Sequence, residues 1–264
     1  MNTNLLPDAA FLHRLADVAD KETLPKFRSN LDLKVQTKEK INETFDPVTI
    51  ADKAAEKAMR ELIIDHYPTH SIMGEEFGLK SGGELKWILD PIDGTRPYLL
   101  GIPVWGTLIG FQNNNNVTLG MLSQPFTGER FWSDGETSFY QRGNVKCKLN
   151  TSRDKNLSEA ILHTNQPRSS MLYPHINFNA LNDQVLMTRY GAECYAFAML
   201  AAGYIDICFE FSLQPYDIAA LIPIIENAGG VISTLDGSPA YSGGTIIAAS
   251  SKQLHEQALN ILNS

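Results

Sequence analysis

The run Trp87-Ile88-Leu89-Asp90-Pro91-Ile92-Asp93-Gly94-Thr95 restricts this chain more than any other stretch. Its apolar start reads as a short strand, and it passes directly into two carboxylates three residues apart, with a proline stiffening the bend between them. Forming a turn does not call for both acids. Hard cations such as Mg2+ take oxygen ligands and keep several waters, so two or three carboxylates, a backbone carbonyl and a phosphate can complete an octahedron. Gly94 lets backbone N–H groups approach an anion, and Thr95, opening a helix, offers its hydroxyl and amide. A metal-binding end and a phosphate-binding end therefore meet within six residues.

Three further segments put acids at the ends of expected elements: Thr49-Ile50-Ala51-Asp52, Gly74-Glu75-Glu76 and Pro215-Tyr216-Asp217. Each also has a plain structural reading. Asp52 stands at capping-box spacing from Thr49. Asp217 can be a helix-start carboxylate favoured by the dipole. Glu75-Glu76 before Gly78 can be a solvated turn.

Helical spacing of Phe11, Leu12, Leu15, Val18 and Ala19 predicts an opening helix that Pro25 interrupts or ends. A second helix is expected from Thr49 to His66, entered through Asp46-Pro47-Val48 and closed by Pro68. Strands are expected at Ser71-Ile72-Met73, Trp87-Ile88-Leu89, Val104 to Phe111, Val117 to Leu122, Arg130 to Trp132 and Ser138 to Gln141. The Asn113 to Asn116 turn joins the middle pair, giving a mostly antiparallel first half. The second half alternates: strand near Ile161, helix Cys194 to Ala202, strand Ile205 to Glu210, helix Tyr216 to Asn227, strands Val231 to Ser233 and Ile246 to Ala249, and a helix from Lys252. The expected fold is α+β, a layered α/β/α/β/α sandwich forming one unit over 1–264, with subdomains about 1–150 and 151–264.

A formal net charge of -8 over 264 residues lacks the basic stripe of nucleic-acid binding. The first twenty residues carry too many charges for a signal peptide, and no apolar run reaches the roughly 18 residues needed to span a bilayer. A cytoplasmic protein is the expectation. Cys147, Cys194 and Cys208 form no zinc-type cluster and read as buried free thiols. His66 and His70, separated by Pro68, read as surface residues.

In order and spacing, along almost the whole chain, the acidic segments resemble the motifs of the inositol monophosphatase-like family of metal-dependent, lithium-sensitive phosphatases. The carriers are Gly74-Glu75-Glu76, the Asp90 to Thr95 block, and Tyr216-Asp217-Ile218-Ala219-Ala220-Leu221, which stands where many relatives have WDxAAG. Tyr216 and Leu221 depart from that pattern, while Asp217 is kept. The resemblance implies the sugar-phosphatase sandwich shared with fructose-1,6-bisphosphatases, and Mg2+, two or three per site. It implies that Glu75, Asp90, Asp93, Asp217 and the Ile92 carbonyl bind metal, and that Gly94 and Thr95 meet the phosphate. Asp52 and Thr95, with Glu75, would serve catalysis by orienting and activating a water that attacks phosphorus in line, without a phosphoenzyme. A homodimer is implied as well. The slowness of phosphate-monoester hydrolysis agrees, since one general base supplies only about 10²–10⁴ of accelerations that reach about 10²¹.

Substrate selection is expected from Glu193 and Glu210, acids suited to a cationic alcohol, and from Arg96, which either holds phosphate or pairs with a neighbouring acid. Gly94-Thr95-Arg96, Gly101 to Thr107, Glu193-Cys194-Tyr195-Ala196 and Leu213 to Asp217 resemble the histidinol-phosphate phosphatase branch. Histidinol phosphate is therefore the expected small-molecule ester, with inositol 1-phosphate or a 3'(2'),5'-bisphosphate nucleotide as alternatives. A haloacid-dehalogenase aspartyl nucleophile fits less well, because its DxDGT motif has one residue fewer between the acids. An inactive metal-binding homologue would not need to keep every ligand together with Asp52 and Thr95.

Overall fold

The structure, a computed structural model, describes residues 6–30, 32–37, 47–152, 155–165 and 173–264. Helix α1 (Ala9–Thr23) starts where the Asp8 carboxylate accepts the Phe11 N–H at 3.0 Å, and it buries Phe11, Leu12, Leu15, Ala16 and Ala19. Pro25 then confines the chain to one 3-10 turn, Leu24–Lys26. Strands β1 (Gln36–Thr37) and β2 (Pro47–Val48) pair antiparallel and lead to Thr49; Asp46 lies outside the described residues. Thr49 and Asp52 form the expected capping box, and α2 (Ile50–His66) follows with Ala55, Met59 and Ile63 against α1 and the first sheet.

The first sheet takes β3 (Ser71–Gly74), β4 (Gly78–Lys80) and β5 (Lys86–Asp93). After α3 (Thr95–Leu100) it continues through β6 (Gly106–Asn113), β7 (Asn116–Gln124), β8 (Glu129–Ser133), β9 (Ser138–Arg142) and β10 (Val145–Lys148). Its order is β10-β9-β8-β7-β6-β5-β3-β4, and only β3 and β5 run parallel. The second sheet contains β11 (Ile161–Thr164), then after α4 (Phe178–Asn182) β12 (Met187–Tyr190). After α5 (Glu193–Ala201) comes β13 (Ile207–Leu213), and after α6 (Pro215–Ile218) and α7 (Leu221–Glu226) come β14 (Val231–Thr234) and β15 (Gly244–Ala249). The last helix is α8 (Lys252–Leu262). The order β12-β11-β13-β15-β14 has β13 parallel to β11 and antiparallel to β15.

Apolar cores between these parts make five layers of them. α1 and α2 cover one face of the first sheet. Between the sheets, α5 and α7 bury Phe197, Leu200, Leu221 and Ile224 together with Leu108, Leu122 and Phe131 from one sheet and Cys208, Ile246 and Ala248 from the other. α4 and α8 close the far face through Phe178, Leu181, Leu254 and Leu262. The fold is thus the α+β layered sandwich expected from sequence.

Four local expectations need correction. The single helix expected over Tyr216 to Asn227 is two, α6 and α7, because Pro223 has no N–H for the Ala219 carbonyl four residues back. The break sits close against the first sheet, where a Cβ on Gly120 would lie 2.0 Å from the Ala220 oxygen. Glu210 lies inside β13, which runs on to Leu213 past an irregular register. Cys147 is exposed, since β10 forms one edge of its sheet, while Cys194 and Cys208 are buried as expected. His70 is buried, with Nδ1 accepting the Trp87 indole N–H at 3.1 Å and Tyr67 stacked on it.

Candidate active site

The carboxyl end of β5 builds the centre of the site. The β5–β6 register shifts between Asp90 and Asp93, where Pro91 has no N–H to give the ladder, and Thr107 Oγ1 binds the Pro91 carbonyl at 2.8 Å. The bend lets both acids reach one cavity. The Ile92 N–H donates to Asp90 Oδ1 at 3.0 Å, and the Cys194 N–H at the start of α5 donates to Asp93 Oδ2 at 2.7 Å. Asp217 comes from α6, where it accepts the Gln214 N–H at 2.7 Å in a second capping box. One oxygen each from Asp90, Asp93 and Asp217 lie within 4.8 Å of one another.

Glu75 follows β3, whose Gly74 pairs in parallel with Leu89, and its N–H donates to the Leu89 carbonyl at 3.2 Å. Its carboxyl is hydrogen-bonded to that of Asp90. Burial, then the charges of Glu75, Asp93 and Asp217, hold the Asp90 carboxyl well above the usual carboxylate range. Packing so many acids together is costly unless a cation joins them. A donor set of carboxylates and a backbone carbonyl, with no sulfur ligand and no imidazole among the described residues, fits a hard divalent ion such as Mg2+.

Asp52 and Thr95 meet at the next position. Thr49 gives Asp52 Oδ2 both its N–H at 2.8 Å and its hydroxyl at 2.5 Å. Thr95 Oγ1 stands 3.3 Å from Asp52 Oδ1 and 3.2 Å from the Ile92 carbonyl. Burial raises Asp52 to about 6 against the lowering effect of the Thr49 bonds. The capping and functional readings of Asp52 are therefore compatible, because different oxygens serve them. Gly94, left-handed at φ 85°, turns the chain from β5 into α3.

The cavity is lined by Glu75, Asp90, Ile92, Asp93, Gly94, Thr95, Arg96, Glu193 and Asp217, with Asn165, Phe211, Ser212 and Leu213 across from them. Two of the expected site residues stand behind this lining: Asp52, which meets Thr95, and Glu210, which is buried and near enough to Glu193 and Asp93 to feel their charges. Burial, then the Asp93 charge, raises Glu193 to about 7, with Arg96 acting in the opposite sense. Glu210 is pushed well up by burial, then by Glu193 and Asp93. Among the described residues, Glu193 Oε2 and Glu210 Oε1 are both buried without a hydrogen-bond partner, while the Glu210 carboxyl accepts from the Asn165 backbone. Sequence reasoning missed the residues around Asn165 and Ser212, the latter left-handed at φ 57°, because nothing in their residue types marks them.

The chain is similar to known proteins along nearly its whole length. A profile of the inositol monophosphatase family matches residues 6–264. The chain is 34% identical to the chloroplastic bifunctional phosphatase IMPL2 of Arabidopsis thaliana, over 99% of this chain and 76% of that protein. It is 36% identical to a histidinol-phosphatase of Streptomyces coelicolor, over 98% of this chain and 97% of the relative. A solved inositol monophosphatase from Zymomonas mobilis superposes with a TM-score of 0.82 at 31% identity, covering 97% of each chain.

Proposed function

We propose that this chain, which belongs to the inositol monophosphatase family and is a phosphatase of that family, hydrolyses histidinol phosphate to histidinol and phosphate with Mg2+. The observation that carries the substrate is the Glu193–Glu210 pair. Two acids with buried, unpartnered oxygens beside the phosphate-handling centre favour a leaving group that brings positive charge and N–H donors. Histidinol has both in its ammonium and imidazole. A charge-assisted contact is worth roughly 1.5–3 kcal/mol, about a ten- to hundredfold preference over a neutral polyol. The relationship to the Streptomyces enzyme supports the same choice.

In this reading Glu75, Asp90, Asp93, Asp217 and the Ile92 carbonyl hold two or three ions, and their hydrogen-bonded oxygens keep the geometry fixed before substrate arrives. Bound Mg2+ supplies charge neutralisation at the phosphoryl group and acidifies water. Thr95, donating its hydroxyl to Asp52, keeps lone pairs for the attacking water, and Asp52 fixes that orientation. Gly94 and Thr95 receive the phosphate at the opening of α3, and Arg96 sits at the rim, where its charge also offsets that of Glu193. The chain acts as one unit whose sheets share the α5–α7 layer, as a homodimer in the cytoplasm.

Inositol 1-phosphate is the second reading, favoured by the 31% identity to the Zymomonas enzyme. Phosphate release from histidinol phosphate, inositol 1-phosphate and a nucleotide 3'-phosphate, each with and without Mg2+, tests the proposal. The largest kcat/KM should fall to histidinol phosphate. A higher value for either competitor overturns the assignment.

A further inference from the structure

We propose that Glu56 is a positioning residue for this reaction: from α2 it grips the turn that carries Glu75 and so sets the cation-binding geometry. The proposal rests on the reading of the carboxylate cluster as a cation site. Glu56 is fully buried, one helical turn after Asp52 and on the same face of α2. Its Oε2 accepts the Glu76 N–H at 2.6 Å, and its Oε1 accepts the Phe77 N–H at 3.2 Å and Arg60 Nε at 2.7 Å. Arg60 continues the grip by donating from Nη2 to the Gly78 carbonyl, and its guanidinium lies over the Phe77 ring at 5.9 Å. On the other side of Glu75, a Cβ on Gly74 would stand 2.0 Å from Glu56 Oε1 and 2.3 Å from its Cδ. Residues 74, 76, 77 and 78 are thus all fitted to this one ion pair, and Glu75 between them meets Asp90.

An i,i+4 ion pair on a helix surface stabilises a helix only slightly, which gives no reason to bury a carboxylate completely. Burial without partners is unfavourable, and here two of the partners are backbone N–H groups of the functional turn. The β3–β4 hairpin already closes through Gly74 and Gly78, so closure does not need Glu56. What Glu56 adds is a fixed position relative to α2, whose first turn also holds Asp52 against Thr95. One helix face therefore sets both the water-orienting pair and the Glu75 ligand. Groups that support metal ligands in this way typically account for 10–100-fold in affinity.

The test is calorimetric titration of the metal-stripped full chain with Mn2+, in the absence of substrate. Glu56→Gln turns one acceptor oxygen into an NH2 group that faces other donors, and Gly74→Ala displaces the carboxylate without removing any polar group. Each should weaken Mn2+ binding by about 10–100-fold, and the double variant should bind no more weakly than Glu56→Gln alone. Asp206→Asn is the control, an equally buried carboxylate held by Lys155 and the Ile161 N–H in the second sheet. It should lower the melting temperature and leave Mn2+ binding unchanged. Binding within about twofold of wild type in both Glu56→Gln and Gly74→Ala, well short of the roughly 10–100-fold expected, overturns the proposal. If Glu56→Gln does not fold, Gly74→Ala decides alone. A wild-type chain that takes up no Mn2+ overturns the cation reading itself, and this inference falls with it.

Discussion

Two sets of acids in and behind the cavity are held to different degrees. In the set on β5 and α6, together with Asp52, protein donors hold the carboxylates: Ile92 N–H for Asp90, Cys194 N–H for Asp93, Gln214 N–H for Asp217 and Thr49 for Asp52. In the pair from α5 and β13, Glu193 and Glu210 each leave one buried oxygen without a partner among the described residues, although the Asn165 backbone also donates to Glu210. The first set is preorganised, as groups that act on a transition state need to be. The second is left unsatisfied, so that a ligand with donors and positive charge gains most by entering. In the proposed function the first set is the reacting centre and the second the substrate pocket, a division of labour that substitutions can separate.

The largest effects should come from the preorganised set. Chelation should abolish phosphate release, and Mg2+ should restore it. Asp93→Asn keeps an oxygen for the Cys194 N–H, so the fold should survive while kcat falls by about 10²–10³. Wild-type turnover in that variant would remove the mechanism. Substitution in the unsatisfied pair should be gentler and selective. Glu210→Gln should lower kcat/KM for histidinol phosphate by about 10–100-fold, the range of one charge-assisted contact, with little change for inositol 1-phosphate. An equal loss on both esters would mean that Glu210 serves the reacting centre, and the contrast between the two sets would disappear.

The same contrast explains what could be read from the sequence. The preorganised set was legible because its members sit where local grammar puts them: Thr49 and Asp52 at cap spacing, Asp90 and Asp93 at a strand end, Asp217 at a helix start. Local patterns also placed most strands and helices. The losses occurred where distant packing decides. Pro223 broke a helix whose junction is pressed against Gly120 of the first sheet. β12, an edge strand with mostly exposed side chains, shows no apolar alternation to reveal it. Glu56 reads as half of an ordinary helix-surface ion pair with Arg60, since its backbone partners lie about twenty residues away in the chain. His70 looked exposed beside Pro68, and only the fold brings Trp87 to it.

A smaller effect should appear in stability against pH. Glu193 has its carboxyl raised from an ordinary 4.5 to about 7, so between those values the folded chain binds more protons than the unfolded one. Its contribution is fully present below about 4.5 and is lost as pH rises through about 7. The metal-free protein should therefore melt at a higher temperature at pH 5 than at pH 8, with Glu193 responsible for on the order of 1–2 kcal/mol. Glu193→Gln should flatten part of that slope, and Asp52, raised to about 6, should keep another part. A slope unchanged in Glu193→Gln would show that Glu193 is not held protonated by its surroundings, against the unsatisfied character assigned to it.

The smallest expected effect concerns the thiols, which extend the comparison to a region outside the cavity. Cys194 is buried with its N–H on Asp93, and burial followed by the Asp93 charge holds its thiol well above the usual range. Cys147 is exposed on β10, at the opposite edge of the first sheet from β3 and β4. A thiol reagent reacts through the thiolate and needs access, so both conditions protect Cys194. Native protein should therefore be labelled at Cys147 alone, with kcat and KM unchanged, while unfolding in denaturant should open all three thiols. Peptide mapping after labelling reads this directly. Modification of Cys194 in the native protein, with matching loss of activity, would mean that α5 separates from Asp93 often enough to admit reagent. The preorganisation assigned to the Asp93 side of the site would then not hold.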